Sequence, residues 1–378
     1  LSAGSLLAPL AAAYGAAVSV REALYRKRWI RIDAAPRPVI SVGNLVAGGT
    51  GKTPVVALAA RILDEAGMRP AVVSRGYGGR RRQDPLVVAE AGSPPPLASA
   101  LEAGDEPVML ARMLEGVPIV VARRRVEGAR LAVERLGART LILDDGFQHR
   151  ALRRDLDLVL LDAESPFDNG RLLPAGMLRE PPAALARAGA VAFTFAYGSQ
   201  TSSAPGSAGL TCATLAEEAE VARWIRPGTP VLRFRLEPTL LVSARDVDPG
   251  VRPGPETLTA AWLAGMRIVA FTGIARPQRL VADLRRLGGE VVYFAPFPDH
   301  HVFTPSEVRE ILAAVRRLEP EVVLTTEKDV ARLKSVPHGA ALIEEGVVAL
   351  RVEAVPEDGG AGTFRRLLLE AAGAGAAA

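Results

Sequence analysis

The stretch Gly43-Asn44-Leu45-Val46-Ala47-Gly48-Gly49-Thr50-Gly51-Lys52-Thr53-Pro54 follows the apolar run Val39 to Val42 and precedes a helix-compatible segment reaching Gly67. Glycines in such a loop let backbone amides converge on phosphate oxygens, Lys52 adds a mobile cation for the outer phosphates, and Thr53 offers a hydroxyl to magnesium. Gly48, Gly49, Thr50, Gly51, Lys52 and Thr53 are therefore expected to hold a nucleoside triphosphate. The strict pattern has glycine where Val46 stands, so this is a variant phosphate loop. A second element ends in acid: Leu141-Ile142-Leu143 runs into Asp144-Asp145-Gly146-Phe147-Gln148-His149. Carboxylates just past a buried strand sit where open α/β sheets bind ligands, and Asp144 or Asp145 can hold the metal as a Walker B aspartate does.

Further groups have two uses each. Arg75 and Tyr77, in Ser74-Arg75-Gly76-Tyr77-Gly78-Gly79, can face an anionic or sugar substrate. Asp105, in Gly104-Asp105-Glu106-Pro107, is either a helix N-cap or a base. Arg123-Arg124-Arg125 is either a phosphate clamp or a solvated basic turn. The stretch Asn169 to Pro181 holds too many glycines and prolines for regular structure and too many charges for filler, which marks a functional loop. Asp299-His300-His301 invites a metal reading, but no further ligands are identifiable, and Glu327-Lys328-Asp329 lacks the spacing of a guanine-reading signature.

These residues need elements to carry them. Val39 to Val42, Ala71 to Ser74, Pro118 to Ala122, Thr140 to Leu143, Leu156 to Leu161 and Ala190 to Phe195 read as strands separated by helix-sized segments, the rhythm of a doubly wound parallel sheet. Gly198 to Gly209 reads as an exposed loop. Pro230 to Leu236 and Thr239 to Val242 then suggest a linking hairpin around Glu237 and Pro238. The α/β rhythm resumes with strands at Arg267 to Thr272, Glu290 to Phe294 and Val322 to Thr325, and helices at Gln278 to Leu287 and Pro305 to Leu318. The expected organisation is an N-terminal helix over 1–35, a phosphate-loop domain over 36–228 and a smaller α/β domain over 229–372, with a frayed tail.

A chain of 378 residues is long enough for two domains. The net charge of +4 is spread along it, and an aromatic content of 5% with no interleaved basic stretch argues against a nucleic-acid partner. A single cysteine, Cys212, forbids an internal disulfide, and four histidines leave little for a histidine-rich zinc site. The first twenty residues carry no charge, and Arg21, Arg26, Lys27 and Arg28 follow around Tyr25 and Trp29. A secretory signal would place the basic residues first, and Ser2, Gly4, Ser5, Pro9, Gly15 and Ser19 dilute the run below a spanning helix. Leu6, Leu10, Tyr14, Ala17 and Leu24 suit an amphipathic helix, buried either in a membrane surface or on its own domain.

Together the phosphate loop, Ser74-Arg75-Gly76-Tyr77-Gly78, Gly104-Asp105-Glu106-Pro107, Asp144 to His149, Arg171-Leu172-Leu173-Pro174-Ala175-Gly176 with Leu178-Arg179-Glu180-Pro181, Thr272-Gly273-Ile274-Ala275, Asp299-His300-His301 and Thr326-Glu327-Lys328-Asp329 resemble the tetraacyldisaccharide 4'-kinase family of lipid A biosynthesis. The resemblance implies a P-loop NTPase-like fold and transfer of the ATP γ-phosphate to the 4'-hydroxyl of a tetraacylated glucosamine disaccharide 1-phosphate. It also implies a membrane-associating N-terminal helix at the cytoplasmic face of the bacterial inner membrane. ATP and Mg2+ are the implied cofactors, held by Lys52, Thr53, Asp144 and Asp145. Asp105 becomes the preferred general base, oriented by His300, and Arg75, Tyr77, Arg125, Gln148, Arg179 and Glu180 become acceptor or phosphate contacts. No obligate protein partner is implied. A membrane-anchored nucleotide switch and a soluble sugar or cofactor kinase are the competing readings.

Overall fold

The computed structural model describes residues 7–92, 96–198, 212–245, 258–357 and 359–373. Beyond Gly198, the loop expected to reach Gly209 lies outside the described residues, as does Leu6. The chain divides into two compact units: Leu1–Val73, Arg125–Leu236 and Ala354–Ala378 form the first, Ser74–Arg124 and Glu237–Glu353 the second. The units are thus not contiguous in sequence. Residues 74–124, expected within the phosphate-loop domain, belong with the second, and residues 354–378 return to the first.

In the first unit parallel strands run in the order Val231–Ser243, Ala190–Phe195, Leu156–Asp162, Val39–Asn44, Thr140–Asp144, Pro70–Ser74. Near-continuous apolar runs suit strands covered on both faces, and every residue of Val39–Asn44 is buried. Val42 pairs with Asp144. The phosphate loop and the paired aspartates therefore leave neighbouring strands at the same carboxyl edge. The helix Gly360–Ala371, expected to belong to the smaller domain, packs into this unit by burying Phe364 and Leu368. Phe364 meets Phe234 edge-on at 5.1 Å.

The expected hairpin around Pro238 does not form. Val231–Ser243 is one strand of 13 residues. Residues 231–235 pair in parallel with 191–195, and Leu240 and Leu241 pair antiparallel with Thr259 and Leu258. Pro238, which has no amide hydrogen to give a ladder, falls between these two stretches, so it interrupts neither.

The second unit has its own parallel strands in the order Glu290–Pro296, Arg267–Thr272, Val322–Thr326, Val348–Pro356. Its helices include Pro277–Arg286 and Pro305–Leu318, and the latter opens on a capping box of Thr304 and Glu307. Ile119–Val121 is a strand as expected, and it pairs antiparallel with Leu86–Ala89, a short strand that the apolar pattern did not single out.

The N-terminal helix spans Ala8–Arg26 and buries only Val18 fully. Its expected apolar stripe is split. Leu10 and Ala17 are exposed, whereas Tyr14 and Leu24 are partly covered, because Tyr14 turns its hydroxyl to the protein. Among the described residues no helix is long and apolar enough to cross a membrane.

Candidate functional site

The phosphate loop is organised from below by Asn44. Its fully buried side-chain amide donates to the Val46 carbonyl at 2.7 Å and to the Thr50 hydroxyl at 2.8 Å. The Asn44 carbonyl in turn accepts from the Gln148 side chain at 2.8 Å. Gln148, expected as a substrate contact, is thereby engaged in supporting the root of the loop. Gly51 has φ +72°, and a Cβ there would come within 2.7 Å of Leu236. Only glycine fits a left-handed position so crowded. The helix Lys52–Glu65 begins directly after it, so Lys52 and Thr53 stand in the first turn, where free amides and the helix dipole favour anions.

Asp145 adopts a left-handed φ of 53° just past its strand, an uncommon conformation for a residue other than glycine. Its carboxylate lies 3.7 Å from Lys52 Nζ and accepts from the Arg179 guanidinium at 2.7 and 2.9 Å. Burial alone would raise its pKa, but Lys52, then Arg179 and Arg125, pull it down to about 2. Asp144 is buried at the strand end, and the buried Arg125 side chain reaches its carbonyl at 3.5 Å. Lys52, Thr53, Asp144, Asp145, Arg125 and Arg179 thus belong to one unit, at or near the carboxyl ends of adjacent strands. The donor set of one hydroxyl and two carboxylates is all oxygen, as magnesium prefers, and magnesium takes its remaining ligands from phosphate and water. Among the described residues no three His, Cys, Asp or Glu side chains form an all-protein metal cluster. Glu180 is 1% exposed, and its two oxygens are occupied by Arg21 and Arg187.

In the second unit, Asp105 is the first residue of the helix Asp105–Met113, while Gly104 occupies the cap. The capping role considered for Asp105 is therefore not the one it fills. Its buried carboxylate meets His300 Nδ1 at 3.0 and 3.1 Å and accepts from Arg332 Nε at 2.8 Å. Burial would raise the Asp105 pKa, yet the His300 hydrogen bond and the charges of Arg332 and Lys328 hold it well below the carboxylate range. The hydrogen bond to Asp105 raises the His300 pKa above its ordinary value.

His301 is engaged elsewhere: its Nε2 pairs with Glu307 at 2.8 Å and its ring stacks on Phe297 at 5.0 Å. Tyr77 is exposed, with its ring 5.3 Å from that of His300. Arg75 is exposed, and its carbonyl accepts from Arg81. Of the basic triplet, Arg123 faces Asp84 while Arg125 opens a helix in the other unit.

Arg332 was not anticipated. Its guanidinium also donates to the Gly273 carbonyl at 2.7 Å and to Asp329 at 2.9 Å. Asp329, wholly buried, accepts as well from Thr272 at 2.7 Å, the Gly273 amide at 3.0 Å and Thr326 at 2.6 Å. Lys328 pairs with Glu106. Lys328 directly, and Asp329 through Arg332, thus hold the Asp105 helix. The signal for Arg332 was available: it follows the acid Asp329 by three residues on one helix face.

Comparison with known proteins places the chain in a family. A family model described as LpxK, tetraacyldisaccharide-1-P 4'-kinase, matches residues 3–372. The tetraacyldisaccharide 4'-kinase of Syntrophus aciditrophicus (strain SB) is 38% identical over 358 residues, covering 94% of this chain and 90% of that protein. That of Anaeromyxobacter dehalogenans (strain 2CP-C) is 41% identical over 355 residues, covering 93% and 86%. The crystal structure of LpxK from Aquifex aeolicus in complex with ATP is similar with a TM-score of 0.69 at 32% identity, covering 97% of this chain and 99% of that one. The chain belongs to the tetraacyldisaccharide-1-phosphate 4'-kinase family.

Proposed function

We propose that the chain transfers the γ-phosphate of ATP to the 4'-hydroxyl of a tetraacylated glucosamine disaccharide 1-phosphate, giving lipid IVA. The observation that carries this reading is the cradle of Gly48 to Thr53, with Lys52 and Asp145 paired at the carboxyl edge of a parallel sheet, in a chain of this family. Lys52 and the loop amides hold the phosphates, and Thr53 with Asp144 and Asp145 would hold magnesium. Bound there, the metal would supply positive charge to offset the negative charge of the transferring group. Arg179 and Arg125 supply further positive charge beside Asp145.

Asp105 accepts the proton of the attacking hydroxyl, oriented by His300 and kept ionised by Arg332. In a loose transition state the proton leaves late, so a weakly basic carboxylate suffices. The buried Asp105, His300 and Arg332 network supports the kinase reading, in which the acceptor alcohol must lose its proton to become a phosphate ester.

The basic helix end and the exposed Leu10, Val20 and Trp29 support association with the cytoplasmic face of the inner membrane. Arg26, Lys27 and Arg28 would face anionic headgroups.

The pair titrates as a unit. With His300 neutral the pair takes up the hydroxyl proton readily, and with His300 already charged the Asp105 carboxylate is a weaker acceptor. Because the hydrogen bond to Asp105 raises the folded pKa of His300, kcat/KM is expected to climb with pH through a range above that of an ordinary imidazole. Replacing His300 by glutamine removes that acidic limb. Lipid-dependent ADP release measured from pH 5 to 9 tests both the activity and the pair. Nucleotide hydrolysis indifferent to the disaccharide, or an unchanged limb in the variant, would contradict the reading.

A further inference from the structure

The helix Ala8–Arg26 and the phosphate loop hold opposite sides of the same short peptide. The Tyr14 hydroxyl donates to the Arg179 carbonyl at 2.9 Å. The Arg179 amide donates to the Leu45 carbonyl at 2.8 Å, and the Ala47 amide donates to the Met177 carbonyl at 2.7 Å. Val46 and Leu178 form an antiparallel bridge between these bonds. The strand of loop that carries Arg179 is therefore stitched to the first residues of the phosphate loop, while its guanidinium holds Asp145.

The next residue makes the attachment to the helix ionic. One Glu180 oxygen takes Arg21 and the other takes Arg187 at 2.6 Å. Arg187 also lies 3.5 Å from Glu22 and 4.5 Å over the Phe147 ring, and Phe147 follows Asp145 by two residues. Gly15 gives the approach its closeness, since a Cβ there would stand 2.9 Å from Leu172. A buried carboxylate is costly unless paired, and apolar side chains would pack a helix as well. What two guanidiniums and a tyrosine hydroxyl add is a fixed position for residues 179 and 180.

We propose that Tyr14 and Glu180 are positioning residues of the nucleotide site: through the Arg179 peptide, the N-terminal helix sets Arg179 on Asp145 and fixes Leu45 to Ala47. This rests on the reading that the Gly48 to Thr53 loop holds ATP. Glu180, expected as a substrate contact, acts through Arg179 instead. By linkage, whatever engages the helix and shifts its docking alters ATP affinity by the same factor that ATP alters the engagement.

Tyr14→Phe removes one hydroxyl and Arg21→Met one arm of the ionic attachment. Each is expected to raise the dissociation constant for ATP with magnesium by about three- to tenfold, the worth of one hydrogen bond. The melting temperature without nucleotide reports folding separately. A merely structural role would lower that temperature and leave ATP affinity at the wild-type value, and that result in both variants would overturn the proposal. Restoration of affinity by Arg21→Lys would support it. Lys52→Met is the control: if it binds ATP as the wild type does, the reading of the loop fails rather than the role of the helix.

Discussion

Asparagine at position 105 is expected to lower kcat by about 10²–10⁴-fold, the range for losing a positioned general base, while ATP binds with near wild-type affinity. The substitution keeps size and a hydrogen-bonding oxygen but removes the charge facing His300 and Arg332. Arg332 retains Asp329 and the Gly273 carbonyl, so its guanidinium is not left without acceptors. The residues assigned to the phosphates, Gly48 to Thr53, are untouched by this substitution, so nucleotide affinity is expected to persist. The check is paired: turnover with the lipid acceptor, and ATP binding by titration. Near-normal turnover would return Asp105 to a purely architectural role at its helix start.

Methionine at position 52 is expected to cost about 10²–10³-fold in turnover, comparable to removing one preorganised charge stabiliser from a transition state. ATP affinity should weaken as well, because the ammonium serves the bound phosphates before the reaction as well as during it. Asp145 keeps Arg179 at 2.7 Å when Lys52 is lost, so the local fold has a reason to persist. Steady-state kinetics across ATP concentrations, with circular dichroism to verify folding, measures the effect. A loss of less than threefold would remove Lys52 from the transition state.

Local pattern carries far where one segment does the work: the strand Val39–Asn44, its glycine turn and the helix Lys52–Glu65 follow from apolar runs and turn chemistry within some thirty residues. The pairing of Val42 with Asp144 could be anticipated in kind, because both segments end buried strands. Contacts that span the chain had no local signal. Arg332 reaches Asp105 across 227 positions, and Tyr14 reaches Arg179 across 165. Pro238 misled because proline ordinarily breaks a ladder, whereas here it lies between two pairing stretches of one strand.

His300 and His301 were indistinguishable by type and neighbourhood. Only the fold turns one toward Asp105 and the other toward Glu307. Domain boundaries drawn as contiguous spans also missed how residues 74–124 join the second unit. Asp105 and His300 share a unit for that reason.

Mass-spectrometric and NMR analysis of the lipid recovered after incubating the chain with ATP, magnesium and a tetraacyl disaccharide 1-phosphate tests the central claim most directly. The expected product is a bisphosphorylated disaccharide whose new phosphate sits on the 4'-oxygen, formed in step with ADP. Unmodified lipid in the presence of ATP hydrolysis, or phosphate on any other oxygen, would contradict it.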